Sequence, residues 1–206
     1  RDIELKFKEA EVLAIDGYST LVIRQEDVFY PLSVTEYIRV LQEYDLLEKW
    51  VEVKNTGKKG NIRIENAQSG SFFLPKNEYR LTHLSGSWGH EFQPQTTQLT
   101  QGLKTLQVKN FRSFGSSFFA IRPEGETNET SGQVWFGSLS YSGNWRVDID
   151  KSANGELQVV GGINFWDQEV VLKPGKSLIT PKLVLGYTEK GMEGVSHSLT
   201  TFTREQ

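Results

Sequence analysis

Hydrophobic and polar positions alternate along most of this chain with the period of two that half-buried strands produce. The clearest case is Gly132 to Asp150, GQVWFGSLSYSGNWRVDID, around which the rest is organised. Val134, Phe136, Ser138 and Ser140 alternate with Trp135, Gly137, Leu139 and Tyr141. After a break, Trp145, Val147 and Ile149 alternate with Arg146, Asp148 and Asp150. The pattern predicts two strands joined by a tight polar turn, a hairpin with Tyr141 and Trp145 flanking Ser142-Gly143-Asn144. Small residues there let backbone approach a ligand or partner, while the two rings supply flat apolar surface.

The same pattern predicts strands over Ile3 to Phe7, Glu11 to Ile15 and Thr20 to Arg24, with a turn at Asp16-Gly17-Tyr18. From Leu32 to Lys54 two readings compete. Val34, Ile38, Leu41 and Leu46 nearly fit a helix over 34–47, but Val, Thr, Tyr and Ile dominate and favour strands that turn at Tyr44-Asp45. Asn55 to Gly60 reads as a hairpin turn between Trp50–Lys54 and Asn61–Ala67. Ser69-Gly70-Ser71 leads into Phe72-Phe73-Leu74, and Tyr79 to Leu84 forms a further strand. Gln93 to Gln101 is polar and short on charge, read as a surface excursion that returns through Leu103 to Val108. Asn110 to Ser117 is a small-residue loop containing aromatics. Pro123 to Gly132 is an acidic loop holding the glycosylation-type triplet Asn128-Glu129-Thr130. Strands follow over Leu157–Val160, Glu169–Leu172 and Ser177–Gly186, and Val195 to Phe202 is a short helix leaving the domain. Turn signals every 8 to 12 residues predict an all-β fold built as a large antiparallel sandwich.

Composition agrees. With 206 residues, 12% aromatics and 19 glycines, the chain suits a large sheet domain with many turns. A net charge of −3 and no basic cluster beyond Lys58-Lys59 argue against a nucleic-acid partner. No apolar run reaches membrane-spanning length and no signal-peptide pattern is present. The compartment stays open, with the cytoplasm favoured over a secreted or periplasmic place. The chain opens on Arg1-Asp2-Ile3 rather than Met, the mark of a piece of a longer protein or a processed product.

Catalytic constellations are sparse. The three histidines, His83, His90 and His197, share no metal-ligand spacing, so neither a metal nor a cofactor is expected. Without cysteine there is no thiolate chemistry. Ser85-Gly86-Ser87 and Ser142-Gly143 lack the nucleophile-elbow frame. Asp148 with Asp150 and Glu124 with Glu126 lack apolar surroundings that would raise one carboxyl into an acid role. The remaining chemistry is aromatic and small-residue loops: Trp88, Phe111 with Phe114, Trp145, and Phe165 with Trp166. Rings beside amides and hydroxyls suit a sugar or, equally, a domain interface.

Several motifs in order carry a family likeness. Leu81-Thr82-His83-Leu84-Ser85-Gly86-Ser87-Trp88-Gly89-His90-Glu91 resembles the LTxLSGxWxxE segment of family-36 glycoside hydrolases, chiefly α-galactosidases, and Tyr141-Ser142-Gly143-Asn144-Trp145 resembles their YSGNW/F signature. Gly161-Gly162-Ile163, Leu172-Lys173-Pro174-Gly175-Lys176-Ser177, Thr180-Pro181, Gly186-Tyr187-Thr188 and Gly191 to Ser196 follow in the family's order. The resemblance implies that residues 1–206 are a single N-terminal β-supersandwich domain of galactose-mutarotase type. It implies that the domain is non-catalytic and that its partner is its own C-terminal (β/α)8 barrel, where both catalytic aspartates lie; the barrel's K-W-D-x-N motif is absent here. Trp88, Ser142, Gly143, Asn144 and Trp145 are then expected nearest barrel or sugar, with homo-oligomer contacts and an α-galactoside as further partners. A free-standing carbohydrate-binding module or an aldose-epimerase-like protein is the alternative; epimerisation needs a His/Glu pair in one cleft.

Overall fold

The computed structural model describes residues 2–110 and 114–205. Its strands, in chain order, are β1 (Leu5–Ile15), β2 (Tyr18–Asp27), β3 (Leu32–Leu41), β4 (Leu46–Asn55), β5 (Ile62–Ile64), β6 (Gln68–Leu74), β7 (Tyr79–Ser87) and β8 (His90–Gln98). They continue with β9 (Gly102–Gln107), β10 (Phe119–Pro123), β11 (Val134–Leu139), β12 (Trp145–Lys151), β13 (Leu157–Ile163), β14 (Val170–Leu172), β15 (Ser177–Ile179) and β16 (Leu183–Thr188). A 3-10 turn, Gln42–Tyr44, joins β3 to β4, and the helix α1 (Gly191–Glu205) follows β16. The fold is the expected all-β antiparallel supersandwich. Ten strands form one sheet in the order β1-β2-β3-β4-β16-β11-β10-β7-β8, with β15 also on β4. Four form the second, β6-β13-β12-β9, and β14 pairs with β5.

Alternation sets the layers. On β11, Trp135 and Leu139 face the small sheet, while Val134 and Phe136 face α1. The main core lies between the sheets: Tyr79, Leu81, Phe119, Ile121, Leu183 and Leu185 meet Trp145, Val147, Ile149, Leu157 and Val159. On the opposite face of the large sheet, Val184, Leu41 and Leu46 pack under Val195, Met192, Leu199 and Phe202 of α1. A third cluster joins Leu32 and Val53 to Ile64 and Leu172.

The stretch from Gly132 to Asp150 is not a hairpin. β11 pairs with β10 and β16, and β12 pairs with β9 and β13, so neither strand has an edge left for the other. The chain crosses from one sheet to the other, and both inward faces reach one core. Asn55 to Gly60 corrects in the same way: β4 already holds β3 on one edge and β15 and β16 on the other, so β5 pairs with β14 instead. Here the chain folds around the buried Asn55 side chain, whose Nδ2 donates to the carbonyls of Gly60 and Leu172 at 3.0 Å.

Other boundaries shift. The first two predicted strands are one, β1, with an irregularity between Phe7 and Glu9. Asp16 and Gly17, at φ 51° and 83°, make the expected two-residue turn. From Leu32 to Asn55 the strands hold and no helix forms. Ser69-Gly70-Ser71 lies inside β6. Gln93 to Gln98 is no excursion but part of β8, a polar edge strand where Pro94, which lacks an N–H, is tolerated. Pro181, without an N–H, separates β15 from β16. The helix does not leave the sandwich; it starts at Gly191 and lies on the large sheet.

At the far end of α1, Tyr44 Oη donates to the Glu205 carboxylate at 2.7 Å and meets the Phe202 ring edge-on at 5.5 Å. The bond to Glu205, with burial adding to it, pushes the Tyr44 phenol up to about 12. A folded value above the unfolded one means that this contribution is complete below about pH 10 and is lost as pH rises through about 12. Spectrophotometric titration of the wild type minus Tyr44→Phe should show one phenol ionising at about pH 12; ionisation at about pH 10 would mean that the contact does not hold in solution.

Candidate functional site

Three segments singled out in the sequence meet at one end of the sandwich. They are the β7–β8 hairpin, the residues leading into β10, and the crossing from β11 to β12. Together with β9 they enclose a cleft of about 320 Å³, lined among others by His83, Ser85, Gly86, Lys104, Phe114 and Trp145. Backbone bonds lock the walls. Phe92 N donates to the Phe114 carbonyl at 2.8 Å, and Ser117 Oγ accepts from Leu139 N at 2.9 Å. Gly115 is required there, because a Cβ at this position would lie 2.2 Å from the Leu84 carbonyl oxygen.

The crossing itself is tightly held. Ser140 N donates to Lys182 O, Asn164 N to Asn144 O, and Val108 N to Trp145 O, all within 2.8–2.9 Å. The Tyr141 ring packs over Gly143, where a Cβ would fall 2.5 Å from it. Asn144 and Trp145 are buried, at 5% and 7% exposure. Trp145 is therefore a core ring at the cleft floor, not the surface platform that the pattern suggested; Tyr141 and Ser142 are exposed. Trp88, at 86% exposure, stands at the tip of the β7–β8 hairpin above the same end. Phe111 lies outside the described residues.

The titratable groups are scattered. His83 lines the cleft, and burial, with the Lys104 ammonium adding to it, holds its pKa below the usual range, so the ring is neutral at neutral pH. His90 is exposed on the β7–β8 hairpin, Glu91 accepts from Gly89 N at 2.9 Å, and His197 is on α1. Asp150 points to solvent, and Asp148 is tied to Arg146 and Thr105. Glu124 pairs with Arg80 at the surface beside exposed Glu126. Asn128 Oδ1 accepts from the N–H groups of Thr130 and Ser131, closing the acidic loop.

What the linear pattern missed is a second hollow, on the outer face of the small sheet. Residues read as solvent-facing on β12, Arg146 and Asp148, meet Trp166 there. Their strict alternation with Trp145, Val147 and Ile149 marked the shared face; nothing in the sequence placed Trp166 beside it.

Comparison with known proteins now bears on this geometry. The family model described as "Glycosyl hydrolase family 36 N-terminal domain" matches residues 4–173. The "Probable alpha-galactosidase C" of Aspergillus terreus is 28% identical over 185 residues, which are 89% of this chain and 25% of that protein. The crystal structure of the α-galactosidase from Lactobacillus brevis superposes with a TM-score of 0.92 at 22% identity, over 100% of this chain and 30% of that one. A putative aldose 1-epimerase from Escherichia coli gives a TM-score of 0.53 at 11% identity, over 88% of this chain and 69% of that one; the likeness is one of fold. The chain thus spans about a quarter of the length of the curated relatives it matches.

Two substitutions separate the built part of this site from the presented part. Gly115→Ala should cost about 2 kcal/mol or more in urea unfolding, because the backbone it meets cannot yield. Trp88→Ala should stay within about 0.5 kcal/mol. Equal losses would mean that the Trp88 ring is packed in solution.

Proposed function

The chain belongs to glycoside hydrolase family 36 as its N-terminal domain, and on that premise we propose that residues 1–206 are one non-catalytic domain of an α-galactoside-cleaving enzyme. The domain packs on a catalytic (β/α)8 barrel carried elsewhere in the polypeptide, shapes the entrance for substrate and contributes to contacts between subunits. The whole protein cleaves terminal α-galactosides, such as melibiose or raffinose, by double displacement with retention. Trp88, Ser142, Gly143, Asn144 and Trp145 lie at the end nearest barrel or sugar. Trp88 is the contact group, and the buried Asn144 and Trp145 hold the crossing in shape.

The observation that carries this reading is the family match over residues 4–173. Trp88 adds to it: an indole 86% exposed at a hairpin tip beside the cleft is free to meet a neighbour, and tryptophan is enriched among the residues that carry interface energy. The carboxylates add a second support. Asp148 and Glu124 are each committed to an ion pair, with Arg146 and Arg80 respectively.

An aryl-α-galactoside assay tests it. The 206-residue chain should release no phenol, whereas the protein that carries it together with its remaining length should. In that longer protein Trp88→Ala should raise KM or weaken domain association, while the unfolding midpoint of the isolated chain stays put. Turnover by the isolated chain would overturn the non-catalytic assignment.

A further inference from the structure

We propose that the outer face of the small sheet carries a binding groove for a neutral pyranose sugar, separate from the cleft below Trp88. The hollow measures about 490 Å³, inside the range of roughly 300–1,000 Å³ typical of small-molecule sites. Its floor is rigid strand. Asp148 Oδ1 accepts from Thr105 Oγ1 at 2.6 Å and from Arg146 Nε at 2.9 Å, which joins β9 to β12. Arg146 engages that carboxylate through Nε, so among the described residues its two amino groups are uncommitted donors.

The wall is an indole held in place. Trp166 is 57% exposed, yet its loop is fixed by Asn164, itself only 3% exposed. Asn164 Oδ1 accepts from Trp166 N at 3.1 Å, and its Nδ2 donates to Val108 O at 2.9 Å and to Gln107 Oε1 at 3.3 Å. The Lys109 ammonium sits 3.8 Å from the indole centroid and occupies one face of the ring. With 57% of its surface still exposed, the ordered indole offers apolar surface to the hollow beside pre-set donors and acceptors.

Charge selects the ligand class. Lys109 and Arg146 are balanced by Asp148 and Glu65 around the same hollow, so no net field favours a phosphate or another anion. A pyranose fits this chemistry: its C–H face stacks on the ring and its hydroxyl edge meets the guanidinium, carboxylate and amide groups.

The test uses the 206-residue chain and its five tryptophans, each of which gives one indole N–H signal in a proton–nitrogen correlation spectrum. Galactose, glucose, melibiose, maltose and raffinose are titrated in turn, with the Trp166 signal assigned from Trp166→Phe. At least one sugar should move the Trp166 signal with a millimolar dissociation constant. Trp166→Ala should weaken that binding by about tenfold or more, and Arg146→Gln should weaken it while thermal unfolding stays unchanged. If only the Trp88 signal moves, or no signal moves with any of the five, the groove is not a sugar site. Neither result touches the non-catalytic assignment, which turnover alone decides.

Discussion

Each of the two sheets has one apolar face that only the other can cover, and the whole topology answers to that need. Phe119, Ile121, Leu183 and Leu185 on the large sheet close over Val147, Ile149, Leu157 and Val159 on the small one, all at 8% exposure or less. At roughly 25 cal/mol for each Å² of apolar surface removed from water, this contact outweighs any single turn or ion pair in the molecule. It also explains why the chain crosses between sheets where a hairpin was the simpler expectation. A hairpin of β11 with β12 would put both strands in one sheet and leave the opposing face without its centre.

The remaining layers follow from the first. Once β11 and β16 turn alternate residues toward the small sheet, Val134, Phe136 and Val184 are left on the other side and need a second cover. The helix supplies it, with Val195 buried at 2% exposure and Tyr44 bonded to Glu205 at its far end. The edges of the large sheet are protected by composition. β8 carries Pro94, which has no N–H to offer a further strand, and on β1 the exposed Glu9 and Glu11 pair with Arg24. Arg39 and Glu48, both nearly buried on the helix side, form an ion pair that Asp16 and Lys182 extend, with Trp50 lying beneath both cations.

The interior of this sandwich is filled, so the surface it can present to a partner or ligand lies at its ends and outer faces. Three tryptophans of identical chemistry illustrate it: Trp145 at 7% exposure is core, Trp88 at 86% is a hairpin tip, and Trp166 at 57% is an ordered wall. Only the first is tied to the large hydrophobic contact. The other two are exposed surface outside that contact.

By itself the sequence determined the class of fold, the faces of most strands, the Asp16-Gly17 turn and the ordered motifs that mark the family. These are local properties: a period of two assigns each residue to a face, and small or φ-permissive residues assign the turns. Only the tertiary structure decided which strands pair, because an open edge is a property of the whole sheet and β4, β11 and β12 had none to spare. The same holds for the cleft and the outer hollow. Trp166 lies 18 residues from Asp148, and what brings them to one hollow is the pairing of β12 with β13, together with the loop that Asn164 ties down.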